Sequence, residues 1–194
     1  MKQTEPYLMP FQDQPFNGDT FLQKEVLRLR DQFKITWAIE TGSCLYYTSV
    51  WLAEHFREVD TIEVNRIYYD LASGKLPKRE RVFAWQGDSA KILDKILQQS
   101  NAMPLIFLDA HWGRVCPLKK ELALIAASGK KPVIVIHDFK VPGKDFGFDS
   151  FKGQPFNWKW VAPDIQAIYG DRFDYKYNEQ ATGAKRGVLF TWPT

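Results

Sequence analysis

The sequence predicts an α/β protein with a mostly parallel, seven-stranded sheet, helices on both faces and an antiparallel C-terminal hairpin. Three observations lead there. From residue 36 onward, short apolar runs alternate with segments of helical period, the signature of βαβ units with right-handed crossovers. Each run ends in a turn of small or acidic residues. After residue 136 the rhythm breaks, and the last two apolar or aromatic segments are joined by a short, turn-rich connection that suits an antiparallel pair. The 194 residues are expected to form one domain.

Over residues 1–20, Pro6, Pro10, Pro15, Gly18 and several aromatics favour an extended arm packed by its rings. Asp19 or Thr20 then caps a helix with an apolar stripe of Phe21, Leu22, Val26, Leu27 and Leu29. Strands are expected at 36–39, 61–64, 82–85, 105–108 and 133–136, short and apolar as buried parallel strands are. Helices are expected between them at 47–56, 65–72, 89–98 and 117–127. In the third, Ile92, Leu93, Ile96 and Leu97 share one face. A loop rich in Gly and Phe, 140–155, reads either as a lid or as a packed surface loop. It precedes a helix at 158–169 and the hairpin strands 173–177 and 188–192. Trp112, Trp158 and Trp160 read as packing residues.

Composition excludes several function classes. The 26 Lys and Arg against 23 Asp and Glu leave a net charge of +3, too slight and too scattered for a nucleic-acid partner. The basic stretch 75–81 contains Pro77 and Glu80 and reads as a solvated loop. Two cysteines, Cys44 and Cys116, and an N-terminus without an apolar core predict a cytoplasmic protein. No apolar run approaches the roughly 20 residues that cross a bilayer, so no membrane partner is expected.

Ligands of open parallel sheets bind outside the carboxyl ends of the strands. Those positions hold Glu40-Thr41-Gly42-Ser43, Glu63-Val64-Asn65, Gly87-Asp88-Ser89, Asp109-Ala110-His111-Trp112 and His137-Asp138-Phe139. Every one carries an acid although acids are 23 of 194 residues, which favours a site, while helix capping remains the alternative for any single one. Glu63 follows Gly42 by 21 residues, the place from which a carboxylate accepts hydrogen bonds from a ribose diol. Asp88, opening the next helix, is placed to receive an adenine amino group.

IETGS at 39–43, TIEVN at 61–65, QGDS at 86–89 and LIFLDAHW at 105–112 resemble, in order and spacing, the class I S-adenosylmethionine-dependent methyltransferases. DAHW followed by CPLKKEL and VIVIHDFKVPGKDFGFD is similar to the metal-dependent small-molecule O-methyltransferases, in the branch of macrocin O-methyltransferase-like and cephalosporin-hydroxylase-like proteins. The resemblance spans residues 20–150 and implies a Rossmann-like three-layer sandwich. It implies that Glu40, Gly42 and Ser43 form the turn holding the methionine moiety of the cofactor. Glu63 then binds ribose, and Asp88 with Ser89 faces adenine. Asp109 is implied as a cofactor-side residue and as the catalytic or metal-binding aspartate, with Asp138 among the carboxylates completing a metal site.

Two departures from the family pattern carry expectations of their own. The first loop, Gly42-Ser43-Cys44-Leu45-Tyr46, keeps only the first glycine of a GxGxG pattern, so Cys44 and Tyr46 are expected to crowd the cofactor or reshape its site. His137 stands where a second acid is usual. Carboxylates suit Mg²⁺, whereas imidazole favours Mn²⁺, Fe²⁺ or Zn²⁺. Asp109, His137 and Asp138, with His111 nearby, are the metal candidates; otherwise His111 caps a helix and His137 is a hydrogen-bonded strand end or a general base.

The implied activity is methyl transfer from S-adenosylmethionine to a small-molecule hydroxyl, with Asp109 and His137 catalytic and Mg²⁺ or another divalent metal assisting. Its rivals are a metal-dependent hydrolase or oxygenase on the same fold and a catalytically silent binding or scaffold protein. The expected partner is the acceptor molecule, and association into a homodimer stays open. Cys44 reads as a small buried residue without a nucleophilic role.

Overall fold

Asp19 starts the first helix. Its carboxylate accepts from the backbone N–H groups of Phe21 at 2.9 Å and Leu22 at 3.0 Å, two of the donors a helix start leaves open. The structure, a computed structural model, describes residues 11–78, 80–111 and 115–194. Helix α1 (Thr20–Phe33) buries Leu22, Val26 and Leu29 and ends at Lys34 in the left-handed conformation. There follow β1 (Trp37–Thr41), α2 (Tyr47–His55), β2 (Glu58–Glu63), α3 (Arg66–Ala72), β3 (Val82–Gln86), α4 (Ser89–Gln98), β4 (Pro104–Leu108), α5 (Leu118–Ala127), β5 (Val133–Ile136), α6 (Trp158–Tyr169), β6 (Phe173–Tyr177) and β7 (Leu189–Pro193).

The seven strands form one sheet in the order β3-β2-β1-β4-β5-β7-β6. β1 to β5 are parallel, and β7 runs antiparallel between β5 and β6. The α/β class, the strand count and the closing hairpin are as expected. Alternate side chains of the central strands feed two cores. Ile39, Ile106, Leu108 and Ile134 pack with α4, α5 and α6, whereas Ala38, Leu105, Phe107 and Val135 pack with α1 and α2. β1, β4 and β5 are buried along their whole length, as parallel strands covered on both faces must be.

Two local differences have physical causes. β2 begins at Glu58, ahead of the expected residue 61, because Asp60 lies inside it. That buried carboxylate accepts from the indole N–H groups of Trp37 at 2.8 Å and Trp85 at 2.7 Å, which lets an acid occupy a strand that apolar patterning alone would shorten. Residues 11–18 of the N-terminal arm are turned rather than extended, and Pro15–Gly18 form a short 3-10 helix with Pro15 in its first turn. Phe16 drives this, its ring buried edge-on against Trp51 and Phe107 at 5.0 and 5.1 Å. Pro6 and Pro10 lie outside the described residues.

The 140–155 loop carries a short hairpin of Ser150–Phe151 with Gln154–Pro155. Gly147 ties the loop to the β6–β7 connection through hydrogen bonds with Lys185 and Gly187. Trp158 stacks on Tyr175 and Trp160 on Phe156, so both are packing residues, while Trp112 lies outside the described residues. Among the described residues no helix is long and apolar enough to cross a membrane.

Candidate ligand-binding site

At the carboxyl ends of β1 to β4 a cavity of about 660 Å³ opens, lined by Glu40, Gly42, Glu63, Asp88, Ser89 and Asp109 among others. It lies where the strand order reverses between β1 and β4, the place where open α/β sheets bind ligands. Its size is within the roughly 300–1,000 Å³ of small-molecule sites. Acids distant in sequence thus share one rim. No residue of the 140–155 loop lines it.

The first loop is shaped by close approach. Gly42 sits at φ 84, and a Cβ there would stand 2.5 Å from the carbonyl oxygen of Asp109. Its N–H donates to Ile62 at 2.9 Å, joining the ends of β1, β2 and β4. Cys44 and Tyr46 keep positive φ angles, 48 and 65, at the two positions where the resemblance calls for glycine. The loop therefore keeps a left-handed path that costs roughly 1–2 kcal/mol per non-glycine residue. Tyr46 does not crowd the cavity: its ring is fully buried beside Leu76, Val50 and Tyr69, away from the lining. Space under α2 accounts for this correction, since the left-handed Tyr46 opens that helix and turns its ring inward. Cys44 does line the cavity, and burial pushes its thiol up to about 11.

Glu63 is held by both oxygens. The N–H of Cys44 donates to one and that of Asn65 to the other, each at 2.7 Å, while burial raises its pKa. Glu40 lies deeper, accepting from the hydroxyls of Ser49 and, at 2.6 Å, Thr61. Burial, with a lesser contribution from the nearby Asp109 and Glu63 charges, overcomes those hydrogen bonds and pushes Glu40 up to about 7. Asp88 caps α4 by accepting from Ala90 at 3.0 Å and also lines the cavity, so its capping role does not take it off the rim. Ser43 bonds through its hydroxyl to that of Thr61.

A second cluster lies beside this rim. Asp109 both lines the cavity and lies 3.1 Å through Oδ1 from His137 Nδ1. His137 and Asp138 are buried and absent from the lining. Burial opposes a charge on His137, but Asp109 and Asp138 beside it raise its pKa well above the usual value. Asp138, buried as well, is held well below the carboxylate range by His137 and His111, whose Nε2 is 3.4 Å from Asp138 Oδ2. Arg186, in the β6–β7 connection, donates to both Asp138 and Asp149.

Ligating atoms of Asp109, His137 and Asp138, and of His111, Asp138 and Asp149, lie within 4.8 Å of one another, close enough for an ion. A guanidinium already occupies that space, bridging Asp138 and Asp149, which does not suit a second cation there. The three residues expected to hold a metal, Asp109, His137 and Asp138, lie together, within ion-pair distance of one another and, through Asp138, of Arg186.

Sequence reasoning passed over Arg186, Asp149 and Glu121. Arg186 falls in a turn-rich stretch with nothing to mark it. Glu121 lies in the first turn of α5 and is fully buried, and burial raises its pKa.

No protein-family model and no curated protein matches the chain in sequence. Solved structures do match it in shape. An amino pentose methyltransferase of Micromonospora echinaspora, CalS10, bound to S-adenosylmethionine, aligns with a TM-score of 0.61 at 14% identity, over 91% of this chain and 93% of its own. An O-methyltransferase of Bacillus cereus in complex with S-adenosylhomocysteine gives 0.56 at 18%, over 93% and 84%. The fold is that of the class I methyltransferases. The same fold serves other chemistry, since a precorrin 8W decarboxylase from Methanobacterium thermoautotrophicum aligns at 0.59 and 13% identity, over 96% of this chain and 100% of its own. In this methyltransferase fold the cavity rim supplies the functional argument.

Proposed function

We propose that the chain is an S-adenosylmethionine-dependent methyltransferase acting on a hydroxyl of a small molecule. The observation that carries this reading is the acid-rimmed cavity at the β1/β4 switch point, floored by a glycine that admits no side chain. Four carboxylates, Glu40, Glu63, Asp88 and Asp109, suit a ligand that joins a ribose diol and an adenine to a cationic sulfonium and an ammonium-bearing amino-acid end. The cofactor, when bound, supplies an electrophilic methyl group on a sulfonium. That CalS10 and the Bacillus cereus enzyme are crystallised with S-adenosylmethionine and S-adenosylhomocysteine supports this choice.

Within this reading Glu63 takes the ribose hydroxyls, its orientation set by the N–H groups of Cys44 and Asn65. Asp88 and Ser89 hold the adenine edge, and Gly42 and Ser43 let the amino-acid end approach the backbone above Glu40. Among the described residues Asp109 alone joins the cavity to the buried cluster, so it orients the acceptor hydroxyl and receives its proton. His137 is a positioning residue: off the cavity, with its pKa raised by the flanking Asp109 and Asp138, it fixes Asp109 and does not itself act as base.

Calorimetry with S-adenosylhomocysteine tests the reading. Binding in the micromolar range, lost in Glu63→Ala, is expected. Absence of binding at millimolar ligand would end the proposal, whatever acceptor is tried.

A further inference from the structure

The strand-end acids already have a cation. Arg186 donates through Nε to Asp138, at the end of β5, and through Nη2 to Asp149, in the 140–155 loop. Asp138 keeps only 2% of its side-chain surface exposed, and a carboxylate that dry needs a charged partner. A guanidinium meets the need well, since its planar fork serves two carboxylates at once and it keeps its charge at any physiological pH.

The chain is also shaped to receive it. A Cβ on Gly147 would stand 2.7 Å from Arg186 Nη1 and 3.1 Å from its Cδ, so a side chain there would push the guanidinium from its present place. Hydrogen bonds from Gly147 to Lys185 and from Gly187 to Gly147 fix the backbone on both sides of Arg186. Three further groups face the same space. His111 Nε2 approaches Asp138, and His137 Nδ1 lies between Asp109 and Asp138.

We infer that Arg186 is the resident cation of this cluster and stands in place of a divalent metal, so that the chain works without one, and that Asp138, Asp149 and His111 are a latent metal site which the guanidinium closes. Arg186 also acts as a clasp, since it joins the β6–β7 connection, the end of β5 and the 140–155 loop through one group. The inference concerns cation occupancy and stands apart from methyl transfer.

Titration of the whole chain with Zn²⁺ and Mn²⁺, followed by calorimetry and by metal analysis after dialysis, tests it. The unaltered protein should take up no stoichiometric metal, and a chelator should leave its melting temperature unchanged. Arg186→Ala should bind one equivalent at least about tenfold more tightly than the unaltered protein, and adding His111→Ala should abolish the gain. Arg186→Lys, which keeps a positive charge, should gain little. Gly147→Ala, which displaces the guanidinium without removing it, should gain metal affinity too, and covers the case in which Arg186→Ala fails to fold. The inference is overturned if the unaltered protein holds one equivalent of either metal through Asp138, or if neither Arg186→Ala nor Gly147→Ala binds metal more tightly.

Discussion

The carbonyl oxygen of Asp109 lies 2.5 Å from the point where a Cβ on Gly42 would stand, and Gly42 sits at φ 84. The first strand end and the fourth therefore touch through backbone alone. Gly42→Ala faces both a left-handed penalty and a clash with main chain that no side-chain rotation relieves. It should cost about 2–4 kcal/mol in urea unfolding, and any remaining folded protein should bind S-adenosylhomocysteine at least about tenfold more weakly. Unchanged stability in Gly42→Ala would mean that β1 and β4 part more easily than this contact implies.

Glu40 makes stability pH-dependent in a direction opposite to a salt-bridged acid. Its folded pKa is raised to about 7 from 4.5, so the folded state binds the proton more tightly than the unfolded one. The stability this contributes is whole below the unfolded value and declines as pH rises through the folded value, by about 3 kcal/mol in total. Glu40→Gln keeps acceptors for Ser49 and Thr61 and cannot ionise. The difference in unfolding free energy between Glu40→Gln and the unaltered protein should therefore grow in the variant's favour between pH 4.5 and 7 and then level off. Ligand affinity should move the other way, with the cationic cofactor losing more than its neutral product.

How much of this was legible in the sequence depended on whether a residue's meaning is local. Apolar runs such as Val133–Ile136 and the period of Ser89–Gln98 are local, and both elements fall where the pattern puts them. Strand-end acids were also legible, because topology alone carries Glu63, Asp88 and Asp109 to one rim. Long-range pairing was not. The tryptophans that let Asp60 stay in a strand are 23 and 25 residues away, and Arg186 meets Asp138 across 48 residues. Composition marks an acid or an arginine but does not name its partner, so nothing in the sequence shows that a guanidinium reaches the cluster read as a metal site.

Asp60 offers a stability test independent of the cavity. Its two oxygens accept from two indole N–H groups, at 2.8 Å from Trp37 and 2.7 Å from Trp85. Asp60→Ala leaves both donors unmatched, the Trp37 one in the buried interior, and should cost about 2–4 kcal/mol. Asp60→Asn keeps one acceptor and should cost roughly half of that. Replacing Trp85 by Phe in the Asp60→Ala background should cost less than it does alone, because the shared partner has gone. Urea unfolding of the four proteins closes the cycle, and strict additivity would show that the indoles do not act through Asp60.

Cys44 reports on occupancy of the site. It lines the cavity, and burial pushes its thiol up to about 11, above the usual range for cysteine. At pH 8 only about one thiol in a thousand is then ionised, and the thiolate is the reactive form. Alkylation of Cys44 by iodoacetamide should be slow at pH 8 and rise about tenfold per pH unit up to the shifted value. S-adenosylhomocysteine should slow it further by covering the sulfur. Peptide mapping separates Cys44 from Cys116. Rapid modification of Cys44 at pH 8, or rates indifferent to ligand, would contradict a half-buried thiol on the cavity wall.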